Sequence, residues 1–272
     1  MRTLVLFLLS VLFVPRAEAD TTEVYRDSIF AKYMKRGAWQ HPVFSHKRIE
    51  LTDSALKYLP HDAYLWQQRS MPFIKQMKYE ISIQYMDSAV KYNWDKYIGY
   101  RGFLKCVFQK DYAGALNDLR LAKAAHPDGE EMDHPYDYWM GLCYLQLCKY
   151  DSAEMRFQYC VDRDKAVGSD WGPYLHTFYL GVAQFEREKF DDAMANFDIT
   201  LAKHDIFADA KYYKALCLSA TAQREPALAL LEQSLSDLQK GRSFSEDSSP
   251  YERFPYQITD WMVKGSIYHL TK

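Results

Sequence analysis

The residues best equipped for chemistry cluster in one short stretch. His126 and His134 flank Asp128, Glu130, Glu131 and Asp133. Imidazole nitrogens and carboxylate oxygens are zinc donors, and carboxylates are calcium donors. The alternating spacing of a calcium loop is absent, however. The stretch is therefore read as a solvated acidic loop, and no metal or other cofactor is expected. Nucleophiles fare no better. Ser and Cys side chains have no base partner recognisable in the sequence, and there is no P-loop, H-E-x-x-H, G-x-S-x-G or dinucleotide glycine fingerprint. The five cysteines (Cys106, Cys143, Cys148, Cys160, Cys217) are odd in number and include no C-x-x-C pair. They read as small buried thiols rather than a disulfide framework. No catalytic residue is assigned, and the chain is expected not to be an enzyme. What remains is recognition chemistry: 22 Tyr, 15 Phe and 6 Trp make 16% of the chain aromatic. Such rings supply contact area with few rotors to freeze.

Something must hold those rings in place. Gly and Pro together number 21 in 272 residues, well under a usual share of roughly 12%. That argues against a loop-rich β-sandwich and for helices. The formal net charge of -2 lacks the basic excess of nucleic-acid binders, so no nucleic-acid partner is expected. At the N-terminus, Arg2, the apolar run Thr3 to Val14, Pro15 and the small residues Ala17 and Ala19 have the pattern of a secretory signal peptide cleaved before Asp20. The run is too short to cross a bilayer, which takes about 20 residues. No Cys lies near the cleavage point, so no lipoprotein anchor is expected. Residues 1–19 are taken as signal, and the protein as exported to a periplasmic or extracellular location without stable membrane insertion.

A repeat organises the rest. Gly141, Tyr144, Tyr150, Ala153, Phe157 and Cys160 alternate small and large residues at helical spacing. The frame recurs at Gly181, Phe190, Ala193 and Phe197; at Ala215, Ala227 and Leu231; at Tyr112, Ala115, Leu119 and Ala122; and at Ser70, Tyr79, Ser82, Met86 and Ala89. One small-residue position falls at Ala55, Ala89, Ala122, Cys160, Thr200 and Ser234, with spacings of 34, 33, 38, 40 and 34. This resembles the tetratricopeptide repeat, a helix–turn–helix unit of about 34 residues. The resemblance covers about residues 46–240. It implies an all-α fold: a right-handed α-solenoid of stacked helix pairs, whose apolar end needs a cap. Tyr79, Tyr112, Tyr144, Tyr150, Phe157, Phe190 and Phe197 fall at core positions. There are departures. Asp137, Thr177 and Lys211 stand where a large residue is usual, and Arg224 where the turn usually has Tyr. One extra residue lies between Gly102 and Tyr112. Pro72 is expected to kink its helix or to delay its start.

In this family certain positions of the first helix of each pair point into a concave groove. Carried across, they are Tyr100, Tyr138, Phe178 and Tyr212; then Trp139, Tyr179 and Tyr213; and, nearer the helix end, Gln146, Phe185 and Glu186. An aromatic ladder there suits an extended or helical peptide. The other reading of the same rings is packing between helices. One subclass grips C-terminal carboxylates with Lys, Arg and Asn. Here Leu142, Val182 and Leu216 occupy such places, so that clamp is absent.

Along the chain, residues 20–60 are expected to form an N-terminal helical cap and partial repeat. Residues 61–240 make five repeats, with longer connections at His126 to Pro135 and at Arg163 to Leu175. Residues 241–272 are an exposed Ser-rich linker and a capping helix with Ile258, Trp261, Met262 and Tyr268 on one face. The resulting expectation is an exported, non-catalytic scaffold in a bacterial cell envelope, binding an unidentified peptide or protein in its aromatic groove. The alternative is a glycan or small-molecule binder, or an enzyme, using the same Tyr/Trp-rich concavity. A strictly monomeric protein would exclude self-association through the end helices.

Overall fold

A computed structural model describes residues 16–166 and 174–272. The apolar run Thr3 to Val14 and the connection residues Gly168, Trp171, Gly172 and Pro173 lie outside the described residues. Helix α1 (Arg16–Ile29) continues through a π-helical turn, Phe30–Lys35, and a 3-10 turn, Ala38–Gln40, to α2 (His46–Tyr58). Five helix pairs follow: α3 (Ala63–Lys75) with α4 (Tyr79–Tyr92), α5 (Trp94–Leu104) with α6 (Tyr112–Ala125), α7 (Tyr136–Gln146) with α8 (Tyr150–Ala166), α9 (Tyr174–Glu186) with α10 (Phe190–Lys203), and α11 (Ala208–Ala220) with α12 (Arg224–Gln239). Helix α13 (Asp260–Thr271) packs on α12, and each helix packs chiefly on its neighbours in sequence. This is the all-α solenoid that the repeat implies.

The pairs close because small residues face large ones. A Cβ on Gly141 would lie 2.6 Å from the Phe157 ring, on Gly181 2.8 Å from Phe197, and on Gly102 2.8 Å from Leu119. Asp62, Asn93 and Asp111 cap α3, α5 and α6 by accepting backbone N–H bonds from Leu65, Lys96 and Gly114, which satisfies donors a helix start leaves open. Each turn within a pair passes through one left-handed residue: Met77, Lys110, Cys148, Glu188 and Ala222, with φ between 56 and 61°. Lys78, Lys149, Lys189 and Gln223 then donate backwards to Phe73, Tyr144, Gln184 and Leu218, the 6→1 closure of a Schellman turn. Repeat two closes differently. Its extra residue is absorbed by a π-helical turn, Lys105–Gln109, after α5, the usual home of a one-residue insertion in a helix.

The departures from the motif have partners. Asp137 is buried between Lys123 of α6 and Arg156 of α8, the latter at 2.9 Å. The Thr177 and Thr200 hydroxyls pair at 2.9 Å. Lys211 meets Asp237, which also holds Arg242 at 2.8 Å. A buried charge without such a partner would be costly.

Three expectations are corrected. The start of helix α3 is not delayed by Pro72: the helix runs from Ala63 to Lys75 with Pro72 in its last turn. The stretch 241–254 is not an exposed linker, because Phe244, Ser248 and Phe254 are buried. On α13 it is Val263 that is buried, while Trp261 and Tyr268 face outward, 75% and 52% exposed. Helix α13 covers the stack end with a narrow apolar seam, and its bulkiest rings lie off that seam.

Candidate functional site

The face built by the first helices of the pairs gathers the aromatic residues singled out by the repeat. It is not open. Tyr138, Trp139, Phe178, Tyr179, Tyr212 and Tyr213 are all buried. Tyr100, Gln146, Phe185 and Glu186 are half-buried. The expectation of a free aromatic ladder is therefore corrected for those six residues. Part of the cover is neighbouring helices, and part is the segment between α12 and α13.

That segment enters the face at two points. The Phe244 ring packs edge-on against Phe178 (5.7 Å) and Phe207 (5.3 Å) and tilts against Tyr179 (6.0 Å). Phe254 stacks on Phe244 at 5.4 Å. The face then binds the segment's backbone. The Tyr179 hydroxyl donates to the Pro255 carbonyl at 2.8 Å, and the Tyr213 hydroxyl to the Tyr256 carbonyl at 3.0 Å. Asp209 accepts from the Ile258 N–H at 2.8 Å and from the Ser243 hydroxyl at 2.7 Å. Tyr212 meets Ser266 of α13 at 3.3 Å. Phe244, Phe254 and Asp209 were not singled out from the sequence, and Ile258 was placed only on the apolar face of the capping helix. The available signal was apolar residues at 244, 254 and 258 interrupting a Ser-rich stretch.

Tyr138 and Trp139 belong to a second cluster. Tyr138 stacks on His134 at 4.0 Å, and the Trp139 indole N–H donates to the Glu131 carbonyl at 2.9 Å. His134 and His176 share a buried contact of 3.0 Å between ring nitrogens, and Asp164 lies 2.8 Å from the other nitrogen of His176. His126 instead turns to Asp95 at 2.7 Å, so the two histidines of the acidic loop serve different neighbours. The loop itself is a small hairpin pairing Glu130–Glu131 with His134–Pro135. Among the described residues no group of three or more His, Cys, Asp or Glu is placed to hold a metal ion. Cys106, Cys143, Cys160 and Cys217 are buried and unbridged; Cys148 is exposed. Burial pushes the Cys143 and Cys160 thiols up, away from a reactive thiolate.

Open space remains at both ends. A cavity of about 230 Å³ is lined by Tyr64, Gln67, Lys96, Tyr97, Tyr100 and Glu131. Burial pushes the Glu131 carboxyl up to about 7. Glu186 lines another cavity of about 490 Å³ with Cys148, Tyr150 and Arg187. Of the ten groove residues, Tyr100 and Glu186 thus border these two cavities.

Asp209 gives the segment's anchorage a pH signature. Burial pushes its carboxyl up to about 7, against the opposing pull of its hydrogen bonds from Ile258 and Ser243. A carboxyl whose folded-state pKa is raised binds its proton more tightly in the folded state. Its contribution is complete below the unfolded value, about 4, and is lost as pH rises through about 7. His176 acts in the opposite direction. Burial lowers its pKa, so its contribution is present above about 6.5 and fades as pH falls. Urea unfolding from acid to neutral pH should therefore show wild type losing stability relative to Asp209→Asn as pH rises. Parallel curves would exclude the assignment.

Solved structures share the fold. A tetratricopeptide repeat protein from Parabacteroides merdae ATCC 43184 matches with a TM-score of 0.60 at 14% identity, over 91% of this chain and 99% of that one. MamA from Desulfovibrio magneticus RS-1 matches at 0.57 and 12% identity, over 67% and 98%. YrrB, described as a TPR protein with an unusual peptide-binding site, matches at 0.52 and 18% identity, over 70% and 94%. These structural neighbours are tetratricopeptide repeat proteins, and the chain is a helical repeat protein with their fold. No protein-family model matches the chain, and no curated protein matches its sequence. No helix among the described residues is long and apolar enough to cross a membrane.

Proposed function

We propose that the chain is an exported, non-catalytic interaction scaffold that holds a polypeptide segment of a partner protein against the face formed by the first helices of its repeats. The observation that carries this reading is the face's handling of the chain's own segment 243–258. Tyrosine hydroxyls take its backbone carbonyls, Asp209 takes a backbone N–H, and aromatic rings take its phenylalanines. Main-chain hydrogen bonds with side-chain pockets are the general means of peptide capture. The structural likeness to YrrB, whose description includes a peptide-binding site, supports the same reading. Export rests on the N-terminal pattern of Arg2, the apolar run to Val14, and Ala17 and Ala19.

The open stretch of the face around Tyr100 is the natural place to look. A photo-crosslinking residue at position 100, on the cavity wall, should capture a defined protein in cells. The same residue at position 155, where Met155 is 64% exposed on α8, should not. N-terminal sequencing of the purified protein should begin at Asp20. Crosslinks from position 155 alone would exclude the face as the binding surface.

A further inference from the structure

The segment between α12 and α13 is built as an Ω-loop. Its ends meet where Phe244 and Phe254 stack at 5.4 Å, both rings 7% exposed or less. Between them residues 245–253 leave the core and reach across the repeats. Glu246 comes within 3.5 Å of His134 Nε2. Glu252 accepts from the Tyr79 hydroxyl at 2.7 Å and lies 3.5 Å from Lys110 Nζ. Lys110 also donates to the Arg253 carbonyl at 2.8 Å, and Lys75 Nζ sits 3.5 Å over the Tyr251 ring. Below the loop is a cavity of about 160 Å³, walled by Phe103, Met132, Asp133 and Trp139 and roofed by residues 245–248.

The two parts of the segment are held by different forces. Its ends are held by burial in the core. Apart from Ser248, which is buried, and Tyr251, which packs half-buried against the core, the loop's middle is held at the surface by charge and hydrogen bonds, which water and salt readily replace. Local opening therefore favours the loop over its anchors. The charges are complementary: the loop brings Glu246, Asp247 and Glu252 against the single Arg253, and meets the cations Lys75 and Lys110 and a ring nitrogen of His134. Asp133 is the acid on the facing wall.

We infer that residues 245–253 are a displaceable lid over a docking site for an acidic, tyrosine-containing segment of a partner protein. Tyr79, Phe103 and Trp139 form the floor, Lys75 and Lys110 form the cationic rim, and the buried His134 presents a ring nitrogen to Glu246. The lid occupies the site in cis as a copy of what the site accepts. This rests on the scaffold reading above and names the chemistry of its partner.

The test uses the full chain and a labelled synthetic peptide copying residues 244–254, followed by fluorescence anisotropy. The Glu246→Gln/Glu252→Gln variant, with its lid weakened, is expected to bind the peptide at least about tenfold more tightly than wild type, because a tethered competitor has been removed. Added salt should weaken that binding. A peptide carrying Gln at both glutamates and Ala at the tyrosine should not bind. Equal affinity for variant and wild type, or no binding to the variant, would overturn the lid. Undiminished binding after Lys75→Ala/Lys110→Ala in the variant would overturn the rim. Circular dichroism establishes that each variant is folded. Should the double variant unfold, Glu252→Gln alone gives the same comparison. The scaffold reading stands or falls separately, on crosslinking from position 100.

Discussion

Phe178→Ala is expected to lower the stability of the protein by about 3–5 kcal/mol, the usual cost of emptying a buried phenylalanine site. The side chain is fully buried. Its ring lies 5.0 to 6.0 Å from those of Tyr179, Phe197, Phe207, Tyr213 and Phe244. Those rings come from α9, α10, the turn before α11, α11 itself and the segment after α12, so the void cannot be filled by moving one of them. A loss of this size is a large share of the about 5–15 kcal/mol that holds a domain folded. Tyr138 supplies the control. Its hydroxyl is buried with no hydrogen-bond partner among the described residues. Tyr138→Phe removes an unpaired polar group and should be neutral or stabilising, whereas Tyr138→Ala should behave like Phe178→Ala. Urea unfolding followed by far-UV circular dichroism measures all three. A Phe178→Ala protein with wild-type stability and weakened peptide binding would return Phe178 to the groove surface expected from the sequence.

The reason that expectation went astray is physical. Local periodicity tells which side of a helix a residue occupies. It does not tell what lies opposite. Tyr138, Phe178 and Tyr212 are on the side the repeat assigns, but the His134 ring stacked on Tyr138, the Phe244 ring against Phe178 and the Ser266 hydroxyl at Tyr212 come from outside the helices that carry them. A run containing Ser243, Ser245, Ser248, Ser249 and Pro250 reads as solvent-exposed by composition. The information lay in its two phenylalanines, and it is legible only once they are known to meet. The same limit hid the partners of Asp137 and Lys211, because an ion pair between helices leaves no mark on either helix alone. The turns were hidden for another reason. Met77, Lys110, Cys148, Glu188 and Ala222 all adopt positive φ, where glycine would have announced the turn. What was legible was whatever the repeat encodes locally: five helix pairs, small residues facing large ones, and the insertion before Tyr112 that became a π-helical turn.

Gly141→Leu tests that local code most directly, with an expected loss of about 1–3 kcal/mol or more from overpacking. On helix propensity alone the change is favourable, since glycine inside a helix costs about 1 kcal/mol relative to alanine. Packing decides the sign. A Cβ at position 141 would stand 2.6, 2.7 and 3.0 Å from three atoms of the Phe157 ring. Phe157 has no free direction: it is fully buried, stacked on Tyr179 at 5.4 Å and edge-on to Tyr138 at 6.1 Å. The leucine must therefore push α7 away from α8, and both helices take their neighbours with them along the stack. Gly265 in α13 provides the opposite case, because a Cβ there meets nothing within 4 Å. Gly265→Ala should gain up to about 1 kcal/mol from propensity. Two glycine replacements in one protein should thus move the unfolding midpoint in opposite directions. If Gly141→Leu left it unchanged, α7 and α8 would not be the close-packed pair on which the whole register of repeats depends.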